Sequence, residues 1–211
     1  MKKIIFILST IAFTINGIAQ NFNGNIEFKY YNSKDTSTNI YIVKDNLIKL
    51  DQYKKSLTTI EGSFIFDLTA NTVKFLNPKR KVWGFNKSET PAIVRGQCVV
   101  TKGGTKKIQG VNCTEYTVKN TEENTQITYW IALDKYNFFQ PILKLWNRKD
   151  KQSVYFAKID GLPEGSMPFL SEEKSISEGK LISKLEVFKL TKRTPDDKEL
   201  EVPAGYNKYD Q

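Results

Sequence analysis

Gln126-Ile127-Thr128-Tyr129-Trp130-Ile131-Ala132-Leu133 is the stretch on which the fold turns. Ile127, Tyr129, Ile131 and Leu133 share one side of an extended chain and Trp130 takes the other, because successive strand side chains point to opposite faces. A strand this amphipathic has one face in a core and one toward water.

The same period of two recurs in both directions. Ile26, Phe28 and Tyr30 alternate with Glu27 and Lys29, residues 39–43 and 47–53 flank the tight turn Lys44-Asp45-Asn46, and Phe64, Phe66 and Leu68 open a further series. That series continues through 73–76 and 82–85 across Thr69-Ala70-Asn71-Thr72 and Asn77-Pro78-Lys79-Arg80. Strands joined by such short turns must be antiparallel neighbours. Residues 86–93, with Pro91, read as a crossing loop. Residues 96–101 and 107–120 flank Gly103-Gly104 and read as a hairpin, and residues 167–170 and 180–190 have strand composition on either side of a polar turn at 171–175. Strands spaced about every ten residues predict a strongly curved sheet or a sandwich.

The period changes after Asn137. Phe138, Phe139, Ile142, Leu143 and Trp146 recur at spacings of three and four, a helical stripe in which Pro141 is tolerable only in the first turn. A second short piece at 152–159 has no decisive period and ends at Gly161-Leu162-Pro163. Pro195-Asp196-Asp197 starts a single turn, where the two carboxylates favour the helix dipole.

The first nineteen residues read as a secretory signal peptide: Lys2 and Lys3, an apolar run over 4–13, then Gly17 and Ala19 as the small residues before a cut after Ala19, with a cut after Gln20 as the alternative. The run is shorter than the roughly 20 residues of a spanning helix, which argues against an uncleaved anchor. No later segment is apolar enough to span a bilayer. The remainder, residues 20–211, is of a length for one domain with its own core. The net charge of +9 is dispersed along the chain and no nucleic-acid-binding signature is present, so nucleic acid is not an expected partner. Periplasmic or secreted localisation follows from the leader.

Chemistry is bounded by what the chain lacks. It contains no histidine, which excludes Ser-His-Asp and Cys-His catalysis and His-ligated zinc. Paired carboxylates are the one formal route to a reaction, and Glu122-Glu123, Glu172-Glu173 and Asp196-Asp197 are adjacent pairs in turn-like segments rather than convergent ones. No phosphate loop, metal set or cofactor motif occurs, so no enzyme and no cofactor are expected. The two cysteines, Cys98 and Cys113, are expected to pair as a disulfide across the hairpin in an oxidising compartment; two buried free thiols are the alternative.

Aromatic residues make up 12% of the chain, more than one compact core needs. On a curved sheet closed by a short helix, Phe138, Phe139, Ile142, Leu143 and Trp146 would face the concave side together with Trp130 or the Tyr129 face, and a greasy cavity is the expected result. The plainer alternative is that these rings fill the core.

Three segments, Lys107-Ile108-Gln109-Gly110-Val111-Asn112-Cys113-Thr114-Glu115-Tyr116, Gly161-Leu162-Pro163 and Leu200-Glu201-Val202-Pro203-Ala204-Gly205-Tyr206, together resemble an exported family of Bacteroidota, domain of unknown function 4412. The resemblance covers most of the chain after the leader, and its motifs are structural rather than catalytic. It implies a fold similar to the periplasmic lipoprotein carriers of the LolA and LolB kind, an incomplete antiparallel β-barrel with one or two short helices over its open side. The expected function is a non-enzymatic envelope binder of a lipid or acyl chain; the alternative is an envelope protein–protein interaction module.

Overall fold

A computed structural model of the protein describes residues 21–54, 57–87, 90 and 92–209. The expected leader at 1–19 lies outside the described residues, and the crossing loop at 86–93 is described only in part.

Twelve strands form one open sheet: β1 (Gly24–Asn32), β2 (Thr36–Lys44), β3 (Leu47–Tyr53), β4 (Ile60–Asp67), β5 (Thr72–Asn77), β6 (Val82–Phe85), β7 (Val99–Ile108), β8 (Val111–Asn120), β9 (Thr125–Ala132), β10 (Met167–Ser175), β11 (Leu181–Lys192) and β12 (Asn207–Lys208). Their order is β12-β6-β5-β4-β3-β2-β1-β11-β10-β9-β8-β7. The chain therefore lays down two meanders, β1 to β6 and β7 to β11. Antiparallel pairing of β1 with β11 joins them, with Ile26 opposite Leu190 and Tyr30 opposite Leu185. The sheet does not close on itself: β7 ends it on one side and the two-residue parallel β12 on the other.

β9 follows the alternation of its sequence, with Thr125, Ile127, Tyr129 and Ile131 buried and the residues between them half-exposed. Ile26, Ile48, Leu50, Phe66, Ile127, Ile131 and Phe169 form the centre of one core, each with at most 1% of its surface exposed. Burial of this apolar face is what holds so large a sheet to its helical cover.

Two expectations about strand limits need correction. The polar turn expected at 171–175 is strand: β10 runs on to Ser175, with Ser171, Glu173 and Ser175 buried. Hydrogen bonding compensates that burial, since Ser183 Oγ donates to Glu173 Oε2 at 2.7 Å. The hairpin turn expected at Gly103-Gly104 lies instead at Gln109-Gly110, where both residues have positive φ, 49° and 77°. That pair is the signature of a two-residue hairpin turn matched to strand twist. Gly103 and Gly104 sit within β7 at a register shift between Lys102 and Thr105, a bulge.

Candidate functional site

Two short helices fill the connection between β9 and β10: α1 (Phe139–Trp146) and α2 (Lys151–Phe156). Pro141 is the third residue of α1, where its missing N–H has no partner to lose, so the helix tolerates it. α1 ends because Asn147 adopts the left-handed conformation and returns its N–H to Leu143 O. α2 begins soon after, with Asp150 as its cap: Oδ1 accepts from Ser153 N at 3.0 Å and Oδ2 from Ser153 Oγ at 2.9 Å. The tight connection thus delivers Arg148 and Asp150 to one place, and Arg148 Nε donates to Asp150 Oδ2 at 2.6 Å. The Arg148 guanidinium lies 4.6 Å from the centre of the Trp146 ring, a cation–π contact.

The helices are held to the sheet by different means. α1 is held by rings and aliphatic burial: Trp146 packs 4.6 Å from Phe64 and 5.2 Å from Phe66, Phe138 just before it meets Tyr41 edge-on at 5.8 Å, and Ile142 is fully buried. α2 adds directional polar bonds to the burial of Tyr155 and of Phe156, whose ring meets Tyr129 edge-on at 5.8 Å. Gln152 Nε2 donates to Ser183 Oγ at 2.7 Å, Ser171 Oγ donates to Gln152 Oε1, and Tyr129 OH donates to the Gln152 carbonyl at 2.7 Å. α2 is thereby tied to β9, β10 and β11 at once.

Between this cover and the sheet lies a cavity of about 100 Å³. Its lining mixes apolar side chains, among them Phe28, Tyr41, Leu50, Phe139, Leu143, Trp146, Phe156 and Leu185, with the polar Asn39, Gln52, Arg148, Asp150, Gln152 and Ser171. Burial pushes the Tyr41 hydroxyl up to about 12, raises that of Tyr30, and raises that of Tyr129 well above its ordinary value, so these phenols are neutral donors rather than acids.

Of the residues singled out from the sequence, Phe139, Leu143 and Trp146 line this cavity. Ile142 is core, and Phe138 faces a separate depression beside Phe22, Leu68 and Pro141. Trp130 is a correction. It stands on the face of β9 opposite Tyr129 and lines none of these spaces; its ring is covered by Lys106 Nζ at 3.8 Å. The strand period required that separation, and Tyr129 is the residue that lines the cavity. Phe28, Tyr41, Leu50 and Leu185 join it because β1 pairs with β11. The polar members Arg148, Gln152 and Ser171 left no pattern in the sequence, since nothing periodic marks a polar group on an inner face.

The expected Cys98–Cys113 bridge is a second correction: both cysteines are free thiols. With the turn at Gln109-Gly110, Cys113 lies opposite Lys106, while Cys98 precedes Val99, which lies opposite Lys119. Asn120 Nδ2 is 3.7 Å from Cys98 Sγ. The two sulfurs are therefore some seven residues apart along β8, about 23 Å at strand rise, against the roughly 7 Å limit between bridged Cα atoms.

Comparison with solved structures finds partial likenesses, among them these three. An uncharacterized conserved protein from Thermus thermophilus aligns with a TM-score of 0.50 and 8% identity over 89% of this chain and 90% of that one. MucB in its complex with MucA, from Pseudomonas aeruginosa, aligns at 0.46 and 11% identity, covering 85% of this chain and 55% of that one. A DUF1329 family protein from Desulfovibrio piger aligns at 0.25 and 11% identity, over 77% of this chain and 84% of that one. At 8% identity the likeness to the Thermus thermophilus protein is one of fold alone. No curated protein matches significantly. The family model of DUF4412, a domain of unknown function, matches residues 22–206, and the chain belongs to that family.

Proposed function

We propose that the protein is an exported, non-enzymatic binding protein for a hydrophobic ligand, a lipid or acyl chain, in the cell envelope. The observation that supports this reading is the cavity itself, where Phe28, Tyr41, Phe139, Leu143, Trp146 and Phe156 converge from the sheet and both helices onto one space. As it stands, about 100 Å³ is short of the roughly 300–1,000 Å³ of ordinary ligand sites. A chain therefore enters by displacing a wall. α1 is the wall that yields, because apolar packing tolerates sliding where the directional bonds of α2 do not. A binder fits this inventory better than a catalyst, since the chain offers no imidazole and the carboxylate on the cavity wall, Asp150, is committed to Arg148 and to capping α2.

Native mass spectrometry and lipid extraction of the protein isolated from its own envelope test the reading, together with displacement of an apolar fluorophore by lipids. Co-purifying lipid and displacement are expected. No bound lipid and no displacement would sink it.

A second reading, an envelope interaction module without a small ligand, is favoured by β7. The strand is exposed from Val99 to Lys107 at the end of the sheet, and such an edge is a template for strand addition. Cross-linking in cells from a position on β7 distinguishes the two: a durable protein adduct, with no lipid bound, would favour the module.

A further inference from the structure

A second depression, of about 310 Å³, is walled by α1, α2, the turn at 157–162 and Ala92, with no strand residue among its described lining. Its bed is apolar, formed by Leu143, Val154, Phe156, Ile159 and Leu162. Its charged members are Lys144, Arg148 and Lys158, and no carboxylate is among its described lining. Some basic groups elsewhere sit against acids, as Lys44 does with Asp197, Lys189 with Glu27 and Arg193 with Glu199. Lys144 and Lys158 have no acidic partner among the described residues, and Asp150 engages Arg148 through Nε. Leu143, Arg148, Ser153 and Phe156 line this depression and the aromatic cavity alike, so the two spaces share a wall.

An apolar bed beside two lysines with no acidic partner among the described residues, and an arginine whose outer nitrogens Asp150 leaves unengaged, has the polarity of one class of molecule. We infer that the depression is the head-group end of the ligand site and takes a long-chain carboxylate. Lys144, Arg148 and Lys158 hold the carboxylate, and the chain runs over Leu143 and Phe156 toward the aromatic cavity. A planar guanidinium already braced by Trp146 and Asp150 suits a carboxylate, because its donors are oriented before the ligand arrives. The volume is at the bottom of the range for ligand sites, which favours a single chain over a two-chain lipid. This inference rests on the binder reading proposed above.

The test compares palmitate, hexadecanol and hexadecyl phosphate on the full exported chain, by displacement of an apolar fluorophore at low and high salt. The same series is run on K144E/K158E, whose side chains make no ion pair to lose, with a thermal melt as the folding control. Palmitate is expected to bind the unaltered protein at least about tenfold tighter than hexadecanol, with the advantage shrinking at high salt. In K144E/K158E, palmitate is expected to lose that advantage while hexadecanol keeps its affinity. Equal binding of palmitate and hexadecanol, or an unaltered preference in the variant, would overturn the head-group assignment and leave the binder reading standing. Stronger binding of hexadecyl phosphate than of palmitate would overturn the carboxylate. Binding of none of the three would remove both readings.

Discussion

The hydroxyl of Tyr155 donates a 2.6 Å hydrogen bond to Oε2 of Glu123, tying α2 to the turn between β8 and β9. Tyr155 is fully buried, and Glu123 also receives the backbone N–H of Arg95 at 2.9 Å and lies 3.5 Å from Lys151 Nζ. One carboxylate thereby gathers the loop before β7, the β8–β9 turn and the helical cover. Tyr155→Phe keeps the ring and removes the donor. We expect a loss of about 1–3 kcal/mol, the usual range for a hydrogen bond to a charged group, read as a lower urea midpoint at unchanged slope. An unchanged midpoint would show that the bond does not hold the cover.

Acid should loosen the protein over a defined interval. The Tyr155 hydroxyl, then the Arg95 N–H, hold the Glu123 carboxyl below its ordinary 4.5. The Arg193 guanidinium, bonded to both Glu199 oxygens at 2.6 Å, holds Glu199 down at about 2. Both groups bind protons less readily folded than unfolded, so their stabilisation is complete above the unfolded value and is lost as pH falls from there through the folded one. The midpoint of urea unfolding should be flat above about pH 5.5 and decline from about pH 4.5 toward 2. Glu199→Gln should make that decline shallower, by a modest amount given how exposed the pair is. A decline of unaltered steepness in the variant would refute the assignment.

The thiols give a chemical check on the register of the β7–β8 hairpin. Burial pushes the Cys113 thiol up to about 11, and none of its surface is exposed, so it should resist alkylation in the native protein at neutral pH. Intact mass should be the same with and without reductant, and two thiols should titrate after denaturation. A two-hydrogen difference would overturn the register set by the turn at Gln109-Gly110.

Trp146 and Trp130 separate the two faces of the sheet. Trp146→Ala removes a ring from the cavity wall and should abolish displacement of an apolar fluorophore, at a cost on the order of 3 kcal/mol in stability. Trp130→Ala should leave the fluorophore's affinity unchanged. Equal loss of binding in both variants would place the ligand somewhere other than the concave side.

Most of the strands, the antiparallel order of those joined by short turns and the helical stripe were legible in the sequence by itself, because a period of two or of three to four is local and needs no knowledge of the partner. That is why spacing alone assigns Ile127, Tyr129 and Ile131 to one face, and why Pro141 belongs in a first turn. Three things only the tertiary structure decided. The hairpin turn fell at Gln109-Gly110 rather than Gly103-Gly104 and left Cys113 opposite Lys106, far from Cys98, since register is set by which turn best matches strand twist over the whole hairpin. The inner-face run Ser171, Glu173 and Ser175 read as a turn because polar residues carry no burial signal; Gln152, Ser183 and Asn124, distant in sequence, supply the hydrogen bonds that offset that burial. The mixed cavity depends on β1 pairing with β11, which brings Phe28 and Tyr41 to one space with Tyr129 and Trp146. No local pattern encodes that pairing, because its free energy comes from burying the two meanders together rather than from either one.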